Sequence, residues 1–201
     1  PQGVLDRFGQ IEPKVLFAVD GYFHMSKPVD VLPRVKEIAS QLPSVEKVII
    51  VPYTKGDPDF SEVPRAVSVH DFMAPFKGRD IQFERLPFDH PLYILYSSGT
   101  TGVPKCIVHG AGGTLLQHLK EQQLHTDIKP GDRLFYYTTC GWMMWNWLVS
   151  GLASQATLVL YDGSPFVKRG RILWDYAQEA GINILDRKST RLNSSHTVIS
   201  Y

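Results

Sequence analysis

Residues 14–53 read "KVLFAVDGYFHMSKPVDVLPRVKEIASQLPSVEKVIIVPY". The first six residues are a short apolar run with β-branched members, the pattern of a buried strand. In 29–42, Leu32, Val35, Ile38, Ala39 and Leu42 recur at helical spacing, and Pro33 suits the first turn. Residues 45–53 are a second apolar, β-branched run. Strand, helix, strand with short links is a βαβ unit, which implies a parallel sheet.

The same alternation continues outward from this segment. Residues 54–64 form a polar loop punctuated by Gly and Pro, and 67–73 a short strand and turn. Strands are expected at 92–96 and 105–109, then a helix over 112–125 with Leu115, Leu116, Leu119 and Leu124 on one face. A turn at 129–132 leads to a strand at 133–139. The run 142–153 is too apolar for a surface helix and is expected to be largely buried. A strand at 156–163, a helix at 171–181 closing on Gly181, and a strand at 182–185 complete the series. The fold class is therefore α/β, a largely parallel sheet with flanking helices.

Composition excludes several functions. The 201 residues are 43% hydrophobic and 20% charged, which is ordinary for a globular domain. A formal net charge of +1 gives no case for nucleic acid. No window approaches the roughly 18 uninterrupted apolar residues of a membrane span. The first residues lack the basic start and apolar run of a signal peptide. Two cysteines, Cys106 and Cys140, suggest a reducing cytosol rather than a disulfide framework. No Cys or His cluster has zinc-ligand spacing, so no metal ligand is assigned, and His109, His118 and His125 read as scattered surface or structural residues.

The chemistry concentrates in "LYILYSSGTTGVPKC" (92–106), where a strand runs into a loop of hydroxyls and glycines. A phosphate needs close backbone N–H groups, hydroxyl donors and a cation. Gly99 and Gly102 let the backbone fold tightly, Ser97, Ser98, Thr100 and Thr101 bring hydroxyls, and Lys105 brings a point charge. From composition alone, phosphate binding and a plain flexible turn stand level. The loop is not a Walker A sequence, because Gly102 precedes Val103–Pro104 and Lys105 precedes Cys106. "HGAGGT" (109–114) matches only two glycines of a dinucleotide fingerprint, since Leu115 holds the third place.

"YSSGTTGVPKCIVH" resembles the phosphate-loop signature of the adenylate-forming superfamily, which includes acyl-CoA synthetases and luciferases. With "KVLFAV", "HGAGGTLLQHLKEQ" and "CGWMMWNWLVSGLASQATLVLYDGSP", residues 8 to 185 resemble its acetoacetate–CoA ligase branch. The resemblance implies part of the large N-terminal domain of an adenylate-forming enzyme, ATP and Mg²⁺ as cofactors, coenzyme A as co-substrate and acetoacetate as the acid. The acid would pass through an acyl-adenylate. Ser97, Ser98, Gly99, Thr100, Thr101, Gly102 and Lys105 would grip the ATP phosphates, with Lys105 catalytic. Gly141 and Trp142 match a Gly-Trp pair of the acyl and coenzyme A region. Asn146 could donate to a keto oxygen, although packing of a buried helix is the main job expected of that block. Many superfamily members carry Gly where Cys106 stands; a half-buried strand residue is expected there.

The family's adenine, ribose and Mg²⁺ motifs find no match in the chain. The expectation is thus an internal fragment, inactive alone, with 1–185 from the AMP-binding domain. Residues 186–201 are expected to be a non-native tail: six of the thirteen residues in 189–201 are Ser or Thr, and the stretch resembles a translated adapter. Two alternatives stay open: a CoA ligase for another short acid, and a non-catalytic nucleotide-binding module.

Overall fold

The computed structural model describes residues 1–24, 27–97, 102–187 and 199–200. They divide into two compact units, Pro1–Arg85 with Tyr96–Ile107, and Leu86–Leu95 with Val108–Tyr201.

The first unit opens with helix α1 (Gln2–Phe8) and strand β1 (Val15–Val19). A hairpin of β2 (Gly21–His24) and β3 (Lys27–Asp30) precedes helix α2 (Leu32–Gln41), strand β4 (Lys47–Val51), strand β5 (Ala66–Ser68) and the short helix α3 (Val69–Met73). The sheet order is β1-β4-β5, all parallel, with Leu16 opposite Val48 and Ala18 opposite Ile50. The βαβ unit expected from 14–53 is present, with the hairpin inserted between strand and helix. Leu32, Val35 and Ala39 of α2 pack on Val48 and Ile50, and Leu5 and Phe8 of α1 join the same core. Burying each such aliphatic side chain contributes about 1.5–3 kcal/mol. Arg65 donates to the carbonyls of Ala39 and Leu42, placing a cation at the C-terminal end of α2.

One expectation here needs correcting. β1 is not buried on both sides: Leu16 and Ala18 face the core, but Phe17 is 61% exposed, and Val15 and Val19 are exposed too. The physical reason is position. β1 is the edge strand of its sheet, and α1 and α2 cover the face that Leu16 and Ala18 share.

Asp20 follows β1 and is buried. Its carboxylate accepts from the backbone N–H groups of Tyr53, Thr54 and Lys55 (2.9 Å for Lys55), and from the Thr54 hydroxyl at 2.5 Å. Burial pushes its pKa up, but the Thr54 hydroxyl and these amides outweigh burial and hold the carboxyl at about 2. The buried charge is tolerable because its lone pairs are taken. It fastens the end of β1 to the loop after β4.

Strands β6 (Pro91–Ser97) and β7 (Lys105–Gly110) form a two-stranded sheet, so the glycine and hydroxyl loop joins two strands as expected.

The second unit continues with helix α4 (Ala111–Leu119), which passes into a π-helix over Lys120–His125. Then come strand β8 (Arg133–Tyr137), helix α5 (Met143–Ser150), strand β9 (Thr157–Val159), helix α6 (Ile172–Glu179), strand β10 (Ile184–Arg187) and the two-residue β11 (Ile199–Ser200). The sheet order is β11-β10-β8-β9; β8 is parallel to both β9 and β10, and β11 is antiparallel to β10. Side chains alternate across β8 as strand geometry requires. Leu134 and Tyr136 pack with Trp147 and Leu148 of α5, while Phe135 packs with Leu173 of α6 and Val159. Helices thus cover both faces, as expected of a parallel sheet. Gly181, with φ +61°, ends α6: its N–H donates to Gln178 O and that of Ile182 to Ala177 O. This pair of bonds is a Schellman motif.

Two details of this unit differ from expectation. Leu115, Leu116 and Leu124 are exposed, whereas Gln122 of the same segment is fully buried. In 142–153, Trp147 and Leu148 are buried, but Trp142, Met143 and Leu152 are exposed, since one side of α5 faces β8. Ile199 and Ser200 pair with Leu185 and Ile184 along the edge of β10.

Candidate functional site

The loop between β6 and β7 is built from both ends. Ser97, the last residue of β6, is half-buried, and Lys105 opens β7 exposed to solvent. Ser98, Gly99, Thr100 and Thr101 lie outside the described residues. Gly102 has φ +107°, a region that favours glycine, and no heavy atom of the described residues lies within 4 Å of where a Cβ would stand. Lys105 has no ion-pair or hydrogen-bond partner among the described residues. Other lysines of the first unit differ: Lys55 pairs with Asp30 at 2.9 Å and Lys36 with Glu62 at 2.9 Å.

Sequence reasoning missed the groups that hold the loop's two ends. The Tyr96 hydroxyl, on β6, donates to Arg7 O at 3.2 Å, and the Arg7 guanidinium lies 6.0 Å from the Tyr96 ring centre. On the other side, Gln10 Nε2 donates to Pro104 O at 2.9 Å, and the Cys106 thiol donates to Gln10 Oε1 at 3.7 Å. Cys106 is half-buried, as expected. Residues 7 and 10 lie about ninety positions before the loop they support, so no local pattern announces them.

In the second unit, Gly141 and Trp142 are exposed, and Trp142 is the residue from which α5 starts. Asn146 is half-buried on α5. A cavity of about 500 Å³ in this unit has walls that include His109, Thr114, His118, Met143, Met144 and Trp147; Asn146 is not among its lining residues. The α4 segment meets α5 there through polar groups. Gln122 Nε2 donates to Trp147 O at 2.7 Å and to Ser150 Oγ at 3.3 Å, and Ser154 Oγ donates to Gln122 Oε1 at 3.0 Å. His118 Nδ1 lies 2.8 Å from Ser150 Oγ. The loop residues Ser97, Gly102 and Lys105 belong to the first unit, and Gly141, Trp142 and Asn146 to the second.

Residues 1–187 match the family model described as AMP-binding enzyme. The chain belongs to that family. It is 58% identical over 177 residues to an acetoacetyl-coenzyme A synthetase of Rhizobium meliloti (strain 1021), covering 88% of this chain and 27% of that protein. It is 50% identical over 188 residues to the acetoacetyl-CoA synthetase of Gallus gallus, covering 91% of this chain and 28% of that one. Among solved structures, the acetoacetyl-CoA synthetase from Streptomyces lividans superposes with a TM-score of 0.82 at 44% identity, over 93% of this chain and 28% of that chain. The chain thus spans little more than a quarter of the length of these relatives. The α/β fold and the family expected from the phosphate-loop signature both hold. Among the described residues, no helix is long and apolar enough to cross a membrane.

Proposed function

We propose that this chain carries the nucleotide-phosphate grip of an ATP-dependent, AMP-forming acid–CoA ligase acting on acetoacetate. The observation that carries it is Lys105, whose side chain has no partner among the described residues, close in sequence to the positive-φ Gly102, in a family of AMP-binding enzymes whose similar members are named acetoacetyl-CoA synthetases. A carboxylate acylates poorly; adenylation gives its carbonyl carbon a good leaving group. Bound ATP supplies the electrophilic phosphorus and the pyrophosphate that departs, and coenzyme A supplies the thiol.

The chain's own residues act by position and charge. Ser97 Oγ and the N–H groups of the loop, with Ser98, Gly99, Thr100 and Thr101 assigned to it by sequence, hold the β- and γ-phosphates. Lys105 offsets the charge that builds on them as the bond to the α-phosphate breaks. Arg7 and Gln10 keep the two strand ends in place. For Mg²⁺, no group of three metal-ligating side chains occurs among the described residues. Magnesium commonly binds substrate phosphates with only one or two protein carboxylates, and no residue of this chain is assigned to it. Gly141 and Trp142 are assigned to the acyl and coenzyme A region. The setting is cytosolic, supported by the two free cysteines, Cys106 and Cys140.

The chain by itself is not expected to turn over, and residues beyond 187 are proposed to be foreign to the ligase; the family match that stops at 187 supports this. The test is ATP–pyrophosphate exchange driven by acetoacetate, measured for the 201-residue chain and for a full-length ligase carrying residues 1–187. Exchange by the longer protein and none by the chain is the expected result. No exchange by the longer protein with any short acid removes the ligase assignment.

A further inference from the structure

Lys14, Lys36, Lys55 and Lys168 each hold a carboxylate, which keeps an ammonium protonated. Lys77 is placed differently: its Nζ lies 3.4 Å from His70 Nε2. His70 Nδ1 lies 3.4 Å from Asp71 Oδ1, and Asp71 Oδ2 accepts from the Ser68 hydroxyl at 2.8 Å. These residues stand on and just after α3, in the first unit. Ser68 caps the helix, its Oγ accepting from Asp71 N–H at 3.0 Å. Lys77 follows His70 by seven residues, about two helical turns, which brings both to one side. The donors and acceptors along this row follow from their chemistry. An ammonium only donates, so Nε2 must present its lone pair to Lys77. The ring proton is then on Nδ1, where a carboxylate accepts it. The Ser68 hydroxyl, and next His70, hold the Asp71 carboxyl below its ordinary value, so it is ionised and ready to accept. The next cation, Arg79, is engaged by Phe76, with its guanidinium 5.6 Å from that ring centre. The His70 and Asp71 side chains are 73% and 71% exposed, and Lys77 is exposed too, so a dissolved reagent can reach the amine.

A nucleophile held by a base that a third group orients is the arrangement of an activated nucleophile. We propose that Lys77 is a modification site: its amine takes an acyl group from an acyl thioester, with His70 as the base and Asp71 as the group that orients it. His70 Nε2 takes a proton from the Lys77 ammonium, and Asp71 offsets the charge that the imidazole gains. The freed lone pair attacks the thioester carbonyl, and a C–N bond forms. As the tetrahedral intermediate collapses, the C–S bond breaks. The thiolate leaves and takes the second proton of the attacking nitrogen. His70 returns its proton to water, and an amide and a free thiol remain. This site is separate from the phosphate grip and does not depend on it; the ligase reading adds that such a thioester would be the reaction's own product.

The test is mass spectrometry of the 201-residue chain after timed incubation with acetyl-CoA. Lys55 and Lys168, which hold carboxylates, are the internal references. Lys77 should be acetylated at least about tenfold faster than either; a positioned general base is worth on the order of 10²–10⁴, and exposure to water takes part of that away. His70→Gln keeps a polar side chain but removes the base, and should bring Lys77 down to the rate of the references. Asp71→Asn keeps the shape but removes the charge, and should leave Lys77 at an intermediate rate. Lys55 and Lys168 should keep their rates in both variants, because exposed side chains support little of the fold. Equal acetylation of the three lysines, no acetylation of Lys77, or a Lys77 rate that survives His70→Gln each overturn the proposal. If a variant loosens α3, the comparison of lysines within the parent chain still decides.

Discussion

β1 and β8 are both five-residue strands drawn from apolar runs, and they end in opposite circumstances. β8 sits between β9 and β10 with a helix on each face, and its Leu134 is wholly buried. β1 is an edge strand with one face packed, and its Phe17 is 61% exposed. An apolar run specifies a strand; whether it is covered depends on what else arrives at each face. The same contrast separates two charged groups of the first unit. Asp20 is buried with its oxygens filled, and Lys105 is exposed with no side-chain partner among the described residues. Filled groups hold the fold together, and open ones are free for a ligand.

The largest test of this contrast sets the two strands against each other. Leu134→Ala should lower the unfolding free energy by about 2–5 kcal/mol, the transfer term plus the cavity left in a covered sheet. Phe17→Ser should lower it by less than about 1 kcal/mol, since much of that ring already meets water. Urea denaturation midpoints of the two variants give the comparison. Similar losses would mean that the outer face of β1 is packed after all.

Lys105→Ala sharpens the second contrast. In a full-length ligase the lost charge-assisted contact should cost about 1.5–3 kcal/mol in ATP–pyrophosphate exchange. The melting temperature of the 201-residue chain should not move, because the exposed Lys105 side chain has no partner among the described residues. Unchanged exchange would take Lys105 out of the site.

Asp20 supplies the opposite outcome. Its folded carboxyl is held at about 2, below the ordinary 3.8. A depressed carboxyl adds stability that is complete above the unfolded value and lost as pH falls through the folded one. The chain should therefore lose of order 2 kcal/mol between about pH 4 and pH 2 through this group. Asp20→Asn should be less stable at pH 7 by a similar amount and show a flatter acid limb. Parallel acid limbs in the two proteins would show that the Asp20 hydrogen bonds do not persist in solution.

Much of this architecture was legible in advance, and the gaps have physical causes. Strands β1 and β4, helix α2 with Pro33 at its start, and α6 ending on Gly181 follow from period and punctuation. The β2–β3 hairpin did not, because "GYFHMSKPVD" lacks clean alternation and its Pro28 speaks against a strand. The inward face of α4 was misjudged because hydropathy ranks Leu115 and Leu116 above Gln122. Gln122 is buried because Trp147 O and Ser154 satisfy its amide, and such partners distant in sequence leave no local trace. The strand–loop–strand layout around Ser97–Lys105 was legible, but the hydrogen bonds of Arg7 and Gln10 to its ends were not.

Gln10 gives the smallest and most local test. It is exposed, so Gln10→Ala should leave global stability within about 0.5 kcal/mol of the parent. Yet its amide is what ties Pro104 O to the turn after α1, and its oxygen receives the Cys106 thiol. One net hydrogen bond is worth about 0.5–1.5 kcal/mol. Losing it should release the entry to β7 without disturbing the sheet behind. Amide hydrogen exchange should accordingly quicken at Lys105 and Cys106 by about three- to tenfold, while the amides of β4 stay as they were. In a full-length ligase the same change should weaken ATP binding modestly, and by less than Lys105→Ala, because a support is removed and not the charge. Faster exchange throughout the first unit would make Gln10 a contributor to the fold as a whole; no change at Lys105 would leave the loop held by Arg7 and Tyr96 alone.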